Sequence, residues 1–434
     1  MPSQGGCHSL LFACLLGAAG LPGCALPELP PAPKPPAGLS IDRMRVANGA
    51  QLAAIGNCIT CHTSDGGKPY AGGRALKTPF GTVFGSNITP HPDTGIGRWS
   101  EAAFARAMRE GLDRAGRNLY PAFPYDHFTR LSDEDIGALY AFLMTREPVR
   151  AETPADTMLI PRSLIGAWKA MFLERGAFRP DPSQSAQWNR GAYLVRGAAH
   201  CSACHTPRNA LGAERKREYF AGGEAEGWHA PALDARSPSP VPWTAEALYT
   251  YLRTGSADAH AVAAGPMEDV IRNLRPVADD DVRAMASYIA SLDARSAEER
   301  RKAGERAVTG AKPPPAADSG GAATESDRAI ARGAAVYAGA CASCHDRGRQ
   351  AEGGALRLPL ASGLTLPTPQ NLIRIIRDGI VPPAGEPGPW MPGYAGALGN
   401  AQLSDLATYL RSLTGRPAWE DVPGEVHRIA RDKQ

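Results

Sequence analysis

Nine cysteines occur in the chain of 434 residues, and six of them form three pairs with one spacing. Cys58/Cys61, Cys201/Cys204 and Cys341/Cys344 are each Cys-x-x-Cys, and each is followed at once by a histidine: His62, His205 and His345. Two thiols one helical turn apart with an imidazole beside them suit three chemistries: a zinc half-site, a dithiol redox pair, or covalent attachment of haem. Zinc needs four ligands, and no second Cys/His pair follows at finger spacing. A redox pair has no use for a histidine after every copy. Haem uses all three residues, since both thiols bond the vinyl groups and the histidine becomes the proximal iron ligand. The motif therefore reads as three covalent haem c sites, with His62, His205 and His345 on the iron.

A sixth ligand decides what each iron does, and a thioether raises the potential and suits electron transfer. Met391 stands in PWMPGY, 46 residues after His345, and Met267 in AGPMEDV, 62 residues after His205. Both lie in Gly/Pro-rich loops able to fold over a haem edge, and both are read as distal ligands. The matching place in the first copy, 61 residues after His62, holds Phe123 in LYPAFPYDHF. Phenylalanine cannot ligate iron. His127 in the same loop is the leading candidate there; a vacant or water-bound iron, Met108 and Met144 stay open. His200, directly before Cys201, reads as a surface residue or a propionate partner. His91, His229, His260 and His427 read as solvated or structural, and Trp99, Trp228 and Trp390 as packing on porphyrin.

Positioning three such sites requires a repeated frame, and self-comparison finds one. Its head recurs as GAQLAAIGNCITCH, GAYLVRGAAHCSACH and GAAVYAGACASCH, a one-sided apolar helix running into each attachment turn. A second helix recurs as FARAMREGLD, LYTYLRTGS and LIRIIRDG. A last helix recurs as LSDEDIGALYAFL, VADDDVRAMASYIASL and LSDLATYLRSL, the first of these opened by a capping-box-like Ser132 and Asp135. No strand-period segment of comparable strength appears. The fold class is all-α, with three tandem units at 41–150, 186–295 and 327–416. Residues 151–185 are irregular but aromatic, and are expected to pack on a neighbouring unit. Residues 296–326 read as a flexible spacer, which makes the third unit the most loosely attached.

The N-terminus carries an apolar run, SLLFACLLGAAGLP, too short to span a bilayer and suited to a signal peptide over 1–23. It closes on Leu21-Pro22-Gly23-Cys24, which resembles a lipobox, so Cys24 is expected to carry lipid. A Pro-rich tether follows over 24–40. This places the chain on the periplasmic side of a bacterial membrane, held to its surface, where haem of this kind is attached. A net charge of +3 without a basic aromatic stripe gives no reason to expect nucleic acid. Three haems would bring six propionate charges, so the bare charge says little about partners.

These motifs together resemble the triple-haem cytochrome c subunit of membrane-associated bacterial dehydrogenases for alcohols, gluconate, sorbitol and fructose. The resemblance rests on the three attachment sites and on TPFGTVFGSNITPHPDTGIGRWSEAAF, LYPAFPY, WNRGAYLVRGAAHCSACHTPRNALGAE, AGPMEDV and PWMPGY. It implies three tandem cytochrome c domains passing electrons from a catalytic dehydrogenase subunit to membrane quinone or another acceptor. The Phe123 form is similar to cytochrome subunits that accompany molybdenum hydroxylases acting on aldehydes or N-heterocycles. No dinucleotide fingerprint or paired-carboxylate pocket is present, so the chain reads as an electron carrier and no enzyme by itself. The alternative is a haem enzyme that reduces a small molecule such as peroxide at an open first haem. A terminal-oxidase cytochrome subunit is a third reading, and the sequence offers no later segment apolar enough to anchor one.

Overall fold

A glycine in each head sets the architecture. In the computed structural model, which describes residues 42–310, 324–346 and 355–431, Gly49, Gly191 and Gly333 each lie where the head helix crosses the last helix of its unit. A Cβ on them would stand 2.0 Å from the Ala138 carbonyl oxygen, 2.0 Å from that of Ala284 and 2.1 Å from that of Asp405. The next obstacles are the Cβ atoms of Phe142, Tyr288 and Tyr409, one aromatic at the same place in each unit. Only hydrogen fits in such a gap, so the two helix backbones meet at the crossing.

The first unit contains α1 (Arg43–Ile55), α2 (Cys58–Cys61), a ribbon of β1 (Ala75–Thr78) and β2 (Gly81–Phe84), α3 (Glu101–Glu110), α4 (Tyr125–Phe128) and α5 (Asp133–Met144). Asp42, Ser100 and Ser132 cap α1, α3 and α5 through their side-chain oxygens. The expected capping box is half built. Ser132 Oγ accepts from Asp135 N at 3.1 Å, but the Ser132 amide donates to the Tyr193 hydroxyl at 3.0 Å, and that hydroxyl in turn donates to Asp135. A side chain of the second unit thus completes a cap in the first.

After the linker helix α6 (Ile165–Phe172), the second unit comprises α7 (Ala186–Tyr193), α8 (Ser202–His205), the ribbon β3 (Gly223–Ala225) and β4 (Trp228–Ala230), and α9 (Ala245–Thr254). A short pair, β5 (Ser256–Ala257) and β6 (Ala261–Val262), then leads to α10 (Pro266–Leu274) and α11 (Asp279–Ser291). From crossing glycine to first cysteine the spacing is nine residues in the first unit, ten in the second and eight in the third. The second unit absorbs its longer spacing in a π turn, Leu194–Ala198. All three ribbons are antiparallel and two-stranded, so short strands accompany the helices that sequence periodicity reveals.

The segment expected as a spacer is helical over α12 (Ala297–Gly310). The third unit follows with α13 (Glu325–Ala340), α14 (Ala342–His345), α15 (Gln370–Asp378), α16 (Asn400–Ser412) and α17 (Val422–Arg431). It extends past the expected end at 416: Val422, Val426 and Ile429 of α17 are buried in its core. The expected leader, Cys24 and the tether lie outside the described residues.

Apolar packing joins the units unequally. The first and second share one continuous core that includes Leu52, Leu131, Ile136, Leu194, Val282 and Met285, while the third has its own around Ile373, Leu406 and Tyr409. The third is nevertheless docked on the second. Asn371 Oδ1 accepts from His229 N and its Nδ2 donates to His229 O, both at 2.8 Å. Arg374 Nε donates to Gly227 O at 2.9 Å, Thr365 Oγ1 to Pro238 O at 2.7 Å and Ser362 N to His260 O at 2.6 Å. Side-chain and backbone hydrogen bonds, invisible in a linker's composition, attach it. Residues 151–185 do pack: Trp168 is buried against Tyr125, and its Nε1 donates to Leu211 O at 3.0 Å.

Candidate functional site

Each Cys-x-x-Cys-His segment forms one short helical turn, as a pair of thiols serving one ligand requires. All six cysteines of these turns are free. Burial holds the thiols protonated where it is deepest, pushing Cys58 and Cys201 up to about 12 and Cys61 and Cys341 up to about 11.

Cys344 differs from the other five cysteines of these turns. It is exposed, whereas the other five cysteines are partly buried. The reason lies in what surrounds the second cysteine of each turn. Cys61 and Cys204 sit at the junction of the first two units, close enough to influence one another, with Arg74 and Glu226 beside them. Cys344 belongs to the third unit, away from that junction, and its near polar neighbour is Ser343 Oγ at 3.9 Å from the same turn. The third site thus keeps the spacing of the motif but leaves the second sulfur open to solvent.

The histidines are held in the state an iron needs. His62 Nδ1 donates to the Ser86 carbonyl at 2.6 Å, and His205 Nδ1 to the Pro231 carbonyl at 2.7 Å. A carbonyl only accepts, so the proton is fixed on Nδ1 and the lone pair on Nε2. Among the described residues no hydrogen bond engages either Nε2. Burial lowers the pKa of His62, His205 and His345, which favours the neutral, ligating form. His345 Nδ1 is buried without a hydrogen bond, although the Leu356 carbonyl stands near enough to favour its protonated form. Ser86 and Pro231 occupy matching places, just beyond β2 and β4, so in two units a ribbon delivers the carbonyl that orients the histidine. Free paired thiols beside an oriented, neutral imidazole fit covalent haem.

Met391 is fixed by its backbone. It exchanges both hydrogen bonds with Ile380, at 2.8 and 2.9 Å, and Gly379, at φ +75°, leaves room for its carbonyl. Met267 follows Pro266 in the first turn of α10, and Gly265 at φ +56° turns the chain into that helix. The Trp228 ring lies where a Gly265 Cβ would be, 2.3 Å from its nearest atom, so glycine is obligatory there. Both methionines are partly buried and packed on the core of their own unit. Trp390, expected against porphyrin, is 67% exposed.

The first unit differs. Phe123 packs on Phe128 and Tyr125. His127 is buried on α4 and turns toward the second unit: its Nδ1 lies 3.2 Å from the Arg196 carbonyl and its Nε2 2.9 Å from Glu214 Oε1. So placed, it offers neither nitrogen to an iron, and ligation would require one of those bonds to be given up. Burial alone would lower its pKa, but Glu214 and Asp126 outweigh burial and hold it above the usual value, while His127 holds Glu214 below its own. Each therefore favours the charged form of the other. Glu214 also accepts from Ser202 Oγ, inside the second attachment turn, at 3.1 and 3.2 Å. Met108 is buried in the core and Met144 ends α5.

The first two attachment turns face each other. His200 is partly buried, with Nε2 3.3 Å from Gly56 O and its pKa pushed down to about 4 by desolvation. Asn273 Nδ2 bonds Asn57 Oδ1 and lies 3.2 Å from Thr60 Oγ1 within the first turn. Sequence reasoning named His200 without this bridging contact and missed Asn273, since nothing in their spacing marks the bridge.

Comparison with known proteins agrees with this geometry. Residues 46–147 match the cytochrome c family, and residues 328–410 match the family of cytochrome C oxidase, cbb3-type, subunit III. The alcohol dehydrogenase (quinone) cytochrome c subunit of Gluconacetobacter polyoxogenes is 34% identical over 442 residues, covering 94% of this chain and 85% of the relative. The chain belongs to the family of dehydrogenase cytochrome c subunits. The fructose dehydrogenase cytochrome subunit of Gluconobacter japonicus is 37% identical over 324 residues, covering 72% of this chain and 66% of that one. A nicotinate dehydrogenase subunit of Pseudomonas putida is 44% identical over 430 residues, covering 96% of this chain, which spans 35% of that relative's length. A dehydrogenase cytochrome c subunit carries covalent haem c and transfers electrons for a catalytic dehydrogenase subunit; it does not itself oxidise the substrate.

Proposed function

We propose that the chain carries three haems c in three tandem cytochrome c domains and relays electrons from a molybdenum-containing dehydrogenase to a quinone or another acceptor. The observation that carries the count is the recurrence in all three units of one crossing glycine, one adjacent aromatic and one attachment turn. His62, His205 and His345 would hold the irons, with Met267 and Met391 opposite the latter two. The cofactor supplies reversible one-electron chemistry when bound; the protein orients His62 and His205 through their Nδ1 protons and shields the thiols of the first two sites from water. The molybdenum partner, acting on an N-heterocycle or aldehyde, is supported by Phe123 in place of methionine and by the similarity to a nicotinate dehydrogenase subunit. Intact mass and haem staining of denatured protein test the count: three haems per chain are expected, and two or fewer in fully matured protein would refute it.

The engaged nitrogens of His127 favour a second assignment at the first site. There His127 serves the interface, and the sixth position stays open to small ligands, as a peroxide-reducing haem would need. Carbon monoxide binding to one reduced haem in three supports this; no binding returns the assignment to His127, Met108 or Met144.

The leader sequence and Cys24 support periplasmic export with a lipid anchor. Cys24→Ala should release the protein from membranes, and an unmodified mature N-terminus beyond Cys24 would refute the anchor.

A further inference from the structure

Arg74 stands one residue before β1, in the first unit. It donates to Glu226 Oε2 at 3.0 Å and lies 3.7 Å from Asp269 Oδ2, both in the second unit. We infer that Arg74 is a positioning residue that electrostatically couples the first two haem sites, by joining the two ribbons that orient their proximal histidines.

The connectivity is specific. The Arg74 carbonyl accepts from Gly85 N at 2.9 Å, and Gly85 adjoins Ser86, whose carbonyl receives the His62 proton. Glu226 sits in the β3–β4 turn at φ +49°, and β4 runs directly into Pro231, whose carbonyl receives the His205 proton. Asp269 lies two residues beyond Met267. The ion pair therefore touches the frame of the first histidine, the frame of the second histidine and the helix carrying the second thioether. The Arg74 and Asp269 side chains are only 24% and 20% exposed, so solvent screens them less than an ordinary surface pair.

The charges also continue onward. Asp269 pairs with Arg272 at 2.9 Å, Arg272 with Glu386 at 3.7 Å and Glu386 with Arg275 at 2.8 Å. Glu386 belongs to the third unit, so α10 carries alternating charge from one junction to the other. Arg74 is the member of this ladder that comes from the first unit.

Reduction adds one negative charge to a haem. A fixed cation nearby favours the reduced form and a fixed anion opposes it. Arg74→Gln leaves two carboxylates facing the first two sites and should lower both potentials. Glu226→Gln removes one carboxylate, at a half-exposed position where folding is not at risk, and should raise them. Arg74→Lys should stay near wild type. The third haem is an internal reference and should not move.

This inference rests on the haem reading above, and the experiment separates the two. Haem-loaded full-length wild type and variants are titrated potentiometrically while visible absorption is recorded. Wild type lacking haem at the first two cysteine pairs would fail the functional reading itself. With those haems present, opposite shifts for Arg74→Gln and Glu226→Gln, confined to two of three components, support the coupling. Unchanged potentials, shifts of one sign in both variants, or equal movement of all three haems would overturn it, because a merely structural role predicts no reversal of sign.

Discussion

His127 Nε2 lies 2.9 Å from Glu214 Oε1, and the two residues belong to different units. Removing one partner takes from a buried group its closest charge-assisted hydrogen bond. His127→Ala or Glu214→Ala should therefore cost roughly 3–5 kcal/mol of stability, measured by chemical denaturation of the haem-loaded protein. A variant within experimental error of wild type would show that the pair does not hold the interface.

The same pair sets a pH window. His127 titrates above its ordinary 6.5 when folded, so its contribution is whole below that value and is lost as pH rises through the raised one. Glu214 titrates below its ordinary 4.5, so its contribution is present above that value and is lost as pH falls through the lowered one. Stability from the pair is greatest between these limits. Denaturation midpoints across pH should fall on the alkaline side in wild type, and His127→Gln should flatten that limb.

Gly191 against the Ala284 carbonyl leaves no room for a methyl group. Gly191→Ala should force α7 from α11, cost about 1–3 kcal/mol or more, and reduce haem loading by one per chain. Gly49→Ala and Gly333→Ala should each do the same in their own unit. Intact mass of purified variants reads the loss directly, and full loading in all three would remove the crossing from the account of the fold.

Met267→Ala and Met391→Ala should each lower one potential and let one additional reduced haem bind carbon monoxide, since each takes away a thioether that stabilises ferrous iron. Phe123→Met should act oppositely at the first site, raising its potential. Spectra of the ferric protein check this: the Met-ligation charge-transfer band should weaken in the first two variants and strengthen in the third.

Trp168 anchors the linker between the first two units through its bond to Leu211 O and its edge contact with Tyr125. Its neighbour Lys169 donates to Gly111 O at 2.7 Å and Asn118 Oδ1 at 2.8 Å. Trp168→Ala should cost about 3–5 kcal/mol and speed limited proteolysis within 151–185.

The attachment chemistry was legible in the sequence because it is local. Two thiols and an imidazole must fall within one helical turn, so Cys-x-x-Cys-His states its purpose at the scale of five residues. The repeated helices were legible for a similar reason, since an apolar stripe has a period. Loop methionines such as Met391 carried a weaker signal, their Gly/Pro setting. Tertiary structure decided the rest. Cys61 and Cys344 hold the same place in the motif, yet one is partly buried at a junction and the other is exposed. His127 reads as a ligand from its loop, yet the bends of the chain bring Arg196 and Glu214 to its two nitrogens. His200 and Asn273 carry no motif, because their partners lie 144 and 216 residues away. The spacer over 296–326 has the composition of a tether, but attachment of the third unit depends on Asn371 and Arg374 finding backbone groups of the second. Covalent and helical geometry is written over short distances along the chain. The junctions between units are made by polar groups far apart in sequence, and only folding determines which of them meet.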